Sequence, residues 1–282
     1  HYRVSGGASV ATSTSVTGRL TANNTYSPSD HPPQRQFYLS AQILSPNWIV
    51  GRQWANKPNG YVMVDNGGMV LPWGGKKIAW YGTSIPANYG ASSYPNQIGR
   101  ALGCTMLNQA KGNSGIIYDP ARADSLSATH AEMDANFGAG TWIGRSYEDL
   151  LIGKGADLVV FDHGYNDRGY TIGTITSTDK TTFYGAYNFL INALYADNPS
   201  VKIIFITPPS NHATGNNATQ VDAIRTAIFA MADRWNAPVI DLQKLCTFNA
   251  TNDSLWFPDG VHPSQAATDQ IARVLFNRIK DM

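Results

Sequence analysis

Hydrophobic patterning changes character along this chain near Lys76. Beyond that point, short continuous apolar runs alternate with longer segments whose apolar residues recur every three or four positions. The runs at 78–81, 105–108, 158–162, 201–207 and 239–242 predict strands, and the segments at 94–102, 147–152, 181–196, 219–235 and 264–280 predict helices. Strictly alternating strands and helices imply an α/β fold in which a parallel sheet is covered by helices on both faces, and such sheets take ligands at the carboxyl ends of their strands. A stretch from 117 to 145 interrupts the alternation and reads as a loop with one short helix, which Thr129 and Glu132 would begin as a capping box. Insertions at that edge of a sheet often shape a pocket.

Before Lys76 no helical period outlasts a turn. Short alternating runs at 36–43 and 61–71 are broken by Gly, Pro, Asn and Ser, and Tyr61–Asp65 followed by Asn66-Gly67 and the run 68–71 predicts a hairpin, because Asn-Gly accepts the positive φ angles of a tight primed turn. The polar stretch 21–36, with Pro28, Pro32 and Pro33, reads as a loop or linker. The expected organisation is a β-rich N-terminal segment over 1–75 and an α/β domain over 76–282. No internal repeat is visible.

Composition narrows the functional classes. At 43% hydrophobic and 15% charged residues the 282-residue chain has a globular make-up, rich in Gly, Asn, Ser, Thr and aromatics and poor in Lys and Glu, a flavour common in extracellular proteins. Its net charge of +1 and lack of any Lys/Arg run argue against a nucleic-acid partner or an anionic membrane surface, since binding by counterion release needs clustered cations. No run approaches the roughly 18 apolar residues of a membrane span. Cys104 and Cys246 allow at most one bridge and read as two isolated buried thiols, and no CxxC or HExxH spacing suggests a metal. The chain starts at His1 without a basic or apolar leader, as expected of a fragment or a processed product.

Candidate chemistry gathers at the predicted strand ends. The first apolar strand runs into Gly82-Thr83-Ser84-Ile85-Pro86, which sets the Ser84 hydroxyl and amide at a strand-to-turn junction. Alone, Ser84 reads as a turn or capping serine, and Pro86 rules out the Gly-x-Ser-x-Gly nucleophile elbow. Near the other end, Asp259-Gly260-Val261-His262-Pro263 places a carboxylate three residues before an imidazole, a spacing that lets Asp259 hold the His262 tautomer whose Nε2 accepts a proton. Alone, this is a turn followed by a helix start. Gly112, after the second strand, and Asn166, in Gly164-Tyr165-Asn166-Asp167 after the third, are oxyanion donors by type and position, and otherwise ordinary loop residues. Together they supply every role of acyl transfer by a serine hydrolase: Ser84 as nucleophile, His262 as base, Asp259 to orient it, and an oxyanion hole made by Ser84, Gly112 and Asn166. No cofactor is needed. Asp162, Asp167 and Asp259 also raise a glycosidase acid pair, but that reading leaves Ser84, Gly112 and Asn166 unexplained.

In this order, Ser84, Gly112, Asn166 and His262, with the Asp259-x-x-His262 block, resemble the GDSL or SGNH hydrolase family from about Lys76 to the C-terminus. The resemblance implies a flavodoxin-like three-layer α/β/α sandwich with a five-stranded parallel sheet, and ester hydrolysis through an acyl-enzyme. One departure is Thr83, which stands where the family usually has Asp and puts local hydrogen bonds at that turn in question. The family includes carbohydrate O-acetyl esterases, some carried on phage tail fibres and tailspikes.

Substrate class is the thinnest reading. No segment reads as an amphipathic lid helix, which disfavours a lipase working at an interface. The loops 168–180 and 208–217 are polar and contain Tyr170 and His212, which with His163 are candidate substrate-binding residues, although His163 reads rather as a hydrogen-bonded supporting histidine and the loops equally as solvated surface. Trp48, Trp54 and Trp73 suit either a sugar platform or the core of the β-rich segment. The expectation is O-deacetylation of a polysaccharide, in an extracellular or virion-associated setting that as a phage tail protein would be a homotrimer. A secreted esterase or lipase acting on lipid or small-molecule esters, and a glycan-binding module with a hydrolase fold, are the alternatives.

Overall fold

The structure, a computed structural model, describes residues 48–52, 61–65, 72–139, 145–210 and 218–282. The chain divides into two compact units, residues 1–74 with 100–103 and residues 75–99 with 104–282. In the first, β1 (Trp48–Arg52) pairs antiparallel with β2 (Tyr61–Asp65), Trp48 opposite Asp65 and Arg52 opposite Tyr61. The β2 strand is thus present but its partner precedes it, while the expected Asn66-Gly67 turn and the run 68–71 lie outside the described residues. So does Trp54; Trp73 is buried and offers no open ring.

The second unit carries an all-parallel five-stranded sheet of β3 (Lys77–Gly82), β4 (Thr105–Asn108), β5 (Leu158–Asp162), β6 (Lys202–Ile206) and β7 (Val239–Ile240), in the spatial order β4-β3-β5-β6-β7. This is the flavodoxin-like order, which reverses direction between β3 and β5 and so opens a crevice at their carboxyl ends. The three-layer expectation holds. Both faces of β3 and β5 are buried, which is why they are unbroken apolar runs in the sequence.

Side chains alternate across the sheet. Ala79, Tyr81, Val159, Phe161, Ile203 and Phe205 point into one core with the helices α5 (Phe183–Asp197) and α6 (Ala218–Trp235). There Tyr187 meets Phe161, Phe183 and Phe205 edge-on at centroid distances of 5.4, 5.1 and 5.3 Å, a packing that suits aromatic quadrupoles. On the opposite face Trp80 meets Tyr94 at the start of α2 (Tyr94–Leu102), 5.9 Å away. The remaining helices are α1 (Ser84–Ala87), α3 (His130–Phe137), α4 (Tyr147–Leu150), α7 (Leu242–Leu245), α8 (Asp253–Trp256) and α9 (Gln265–Ile279).

Two local expectations need correction. Thr129 caps α3 by accepting from the Glu132 amide, but Glu132 pairs with Lys180 rather than closing the capping box. The strand expected over 239–242 stops at Ile240, because Asp241 is drawn to Arg225 and Thr207, and the Leu242 amide donates to Thr207 Oγ1 at 2.9 Å. Cys104 and Cys246 are free thiols, Cys246 buried and Cys104 only partly so. Among the described residues no helix is long and apolar enough to cross a membrane.

Candidate active site

Ser84 is the first residue of α1, two residues beyond the end of β3. The turn is tight: a Cβ on Gly82 would lie 2.5 Å from Pro86 Cγ and 2.9 Å from the Asp162 carbonyl oxygen, so only glycine lets the strand end beside β5. Thr83 fills the position of the usual Asp. It is buried and caps α1 by accepting from the Ile85 amide at 3.2 Å, so the turn keeps a side-chain oxygen where one is needed.

The loop before α9 carries Asp259 and His262. Asp259 Oδ1 accepts from the amides of Val261 and His262 at 2.9 and 2.7 Å, and Oδ2 lies 2.7 Å from His262 Nδ1. The His262 amide and ring, with the Val261 amide, hold the exposed carboxyl down at about 2, which favours the carboxylate beside the imidazole. His262 Nε2 then lies 2.9 Å from Ser84 Oγ. Three residues predicted to act together are therefore hydrogen-bonded in sequence, from carboxylate to imidazole to hydroxyl, at distances suited to proton transfer.

Opposite Gly82, at the end of β5, sits Asp162, whose Oδ2 accepts from Trp80 Nε1 at 3.0 Å and Tyr94 OH at 2.7 Å. Burial pushes its carboxyl up to about 7 against the pull of those two donors. This residue ties the ends of β3 and β5 to α2 and is no member of an acid pair.

The two loops that carry Gly112 and Asn166 are joined to each other. Asn166 Nδ2 donates to the Ser114 carbonyl at 2.8 Å, and Ser114 Oγ lies 3.0 Å from His163 Nε2. Burial pushes the His163 imidazole down to about 3, so the ring is neutral and serves as a support inside the protein. Gly164 turns the chain there at φ 128°, and a Cβ on it would meet Ile224 at 2.6 Å. Gly112 differs: it is exposed, and a Cβ there would meet nothing within 4 Å, so the folded chain itself does not demand glycine.

Asp167 anchors both loops. Fully buried, it accepts from the amides of Ile116 and Ile117, each at 3.1 Å, and pairs with Arg122 Nη1 at 3.2 Å, while Arg122 Nη2 donates to the Asn166 carbonyl at 3.1 Å. Burial raises its carboxyl above the usual range, opposed by Arg122 and the two amides. Arg122 also lies under the ring of Tyr170, whose hydroxyl donates to Asp119 Oδ2 at 2.6 Å. Sequence reasoning missed Arg122, which sits in a stretch read only as loop and reaches its partners across more than forty positions.

The cleft at Ser84, about 360 Å³, is open and lined by Asn88, Tyr89, Pro258, Asp259, His262 and Pro263. His163 and Tyr170 are not in its wall, and His212 lies outside the described residues. His163 instead borders a separate polar cavity of about 150 Å³ with Ser114, Lys111, Asp124 and Arg145.

Ser84, His262 and Asp259 are thus joined at the carboxyl ends of a parallel sheet in the flavodoxin-like order. The chain belongs to the GDSL-like lipase/acylhydrolase family, whose model matches residues 80–269, and it is therefore a carboxylic ester hydrolase by class. Solved structures share the fold. A protein from Lactobacillus plantarum is 23% identical with a TM-score of 0.58, over 74% of this chain and 98% of its own. An acetyl xylan esterase is 19% identical with a TM-score of 0.50, over 72% and 99%. A possible lipase from Chitinophaga pinensis is 17% identical with a TM-score of 0.50, over 73% and 98%. No curated protein sequence matches the chain.

Proposed function

We propose that this chain is a carbohydrate O-acetylesterase that works through a Ser84 acyl-enzyme. The observation that carries the reading is the unbroken hydrogen-bonded series Asp259–His262–Ser84 opening onto an exposed, partly polar cleft. His262 takes the Ser84 proton as Oγ attacks the ester carbonyl, and Asp259 stabilises the imidazolium. The amides of Ser84 and Gly112 and the side chain of Asn166 hold the oxyanion. Asn166 spends one N–H on Ser114 and, as a primary amide, has a second to give. That a methyl at Gly112 would collide with nothing in the protein fits a glycine kept for the close approach of a ligand. In this mechanism Asn166→Ala lowers kcat by roughly 100- to 1000-fold with KM little changed, because the donor engages mainly the transition state. A normal kcat with a lowered melting temperature would make Asn166 a loop-holding residue instead.

Carbohydrate as the alcohol is supported by the open, partly polar character of the cleft. A fold shared with an acetyl xylan esterase is in keeping with it. The setting that goes with such a substrate is a secreted or virion-borne protein meeting surface glycans. Initial rates over a series of aryl esters test the acyl preference: the rate should fall steeply from acetate to butyrate and be negligible at octanoate. A rate that climbs with chain length, or rises at an oil–water interface, replaces the deacetylase with a lipase. Acetate release from O-acetylated bacterial polysaccharides then tests the alcohol.

A further inference from the structure

The cleft beside Ser84 is one-sided. Its wall is formed by His262 and Asp259 with Asn88, Tyr89, Pro258 and Pro263, and neither Gly112 nor Asn166 belongs to it. In acyl transfer the carbonyl oxygen turns towards the oxyanion donors, whereas the leaving alcohol departs on the side of the imidazole that must reprotonate it. As the Ser84 Oγ–acyl carbon bond forms, the bond from that carbon to the alcohol oxygen breaks, and the proton taken from Ser84 passes through His262 Nε2 to the departing oxygen. The cleft is therefore the place of the alcohol.

Resting on the O-acetylesterase reading, we propose that Tyr89 is a stacking platform for the pyranose ring whose acetyl group is removed. Tyr89 is a large exposed side chain, 42% accessible, set on the wall of the cleft. Its backbone is left-handed, at φ 66° and ψ 11°, a conformation that side chains of this bulk avoid. Residues held so against their preference concentrate at ligand sites.

The surrounding turn is tied down at several points. The Ser92 amide donates to the Tyr89 carbonyl at 2.8 Å, Asn96 Nδ2 to the Gly90 carbonyl at 2.9 Å, and Gln97 Nε2 both to the Ser92 carbonyl at 2.9 Å and to Asp269 of α9 at 2.8 Å. A ring carried on so fixed a turn loses little freedom when it is covered. A pyranose has an apolar C–H face and a rim of hydroxyls. Tyr89 offers the flat surface for the first and Asn88, beside it, an amide for the second. An acyl chain, by contrast, is best served by an enclosed apolar tunnel, which this open cleft is not.

The test compares kcat and KM of the full chain and of Tyr89→Ala, Tyr89→Phe and Tyr89→Gly on two probes: mono-O-acetylated methyl glycosides of glucose, galactose and xylose, and ethyl acetate, which has no ring to stack. The ratio of kcat/KM for the glycosides to that for ethyl acetate should fall at least tenfold in Tyr89→Ala and Tyr89→Gly, through KM, and stay within twofold in Tyr89→Phe. Tyr89→Gly should melt at or above the parent temperature, since glycine relieves the left-handed backbone. An unaltered ratio in Tyr89→Ala on glycosides that the parent hydrolyses overturns the platform and leaves the sugar esterase standing. Hydrolysis of ethyl acetate with no turnover of any glycoside overturns both.

Discussion

Ser84→Ala is expected to leave a folded protein with no measurable ester turnover, a loss on the order of a million-fold in kcat, and His262→Ala should come close to it because members of such a set act as a unit. The fold should survive because the change removes one hydroxyl whose one strong partner is His262, while the helix cap belongs to Thr83. Matched circular dichroism and melting curves, alongside hydrolysis of an aryl acetate, make the comparison. Near-parent activity in well-folded Ser84→Ala would place the nucleophile elsewhere.

Arg122→Ala should bring the second large change, this time in stability. Removing the guanidinium strands the Asp167 carboxylate, which is wholly buried, and breaking one partner of a buried pair costs about 3–5 kcal/mol. Urea unfolding should show that loss, and adding Asp167→Asn should recover part of it by discarding the uncompensated charge. Because Arg122 also holds the Asn166 carbonyl, the single variant should lose kcat more than it gains KM. A destabilisation below about 1 kcal/mol, within the range of an exposed ion pair, would mean that the loops are held by the backbone amides alone.

Most of the sheet was legible in the sequence for a physical reason. Central parallel strands such as Leu158–Asp162 are buried on both faces and have to be unbroken apolar runs, and the helices that cover them keep a helical period. The β7 strand was overread because its end is decided by Arg225 and Thr207, which lie far off in sequence. Short helices such as Ser84–Ala87 have too few residues to show any period. The candidate site divides in the same way. Asp259 and His262 form one local turn and Ser84 a strand end, so residue types and spacing expose them, whereas Arg122 reaches Asp167 across the fold and Tyr89 is conspicuous only through its backbone angle and its place on a wall.

The turn from Asp259 to His262 satisfies its own geometry, since carboxylate, amides and imidazole are bonded within four residues. The pair is thus placed by its own backbone, and what the rest of the fold sets between this turn and Ser84 is a single separation, the 2.9 Å from His262 Nε2 to a hydroxyl 178 positions earlier. A shift of this turn would therefore carry both side chains together and leave the bond between them intact.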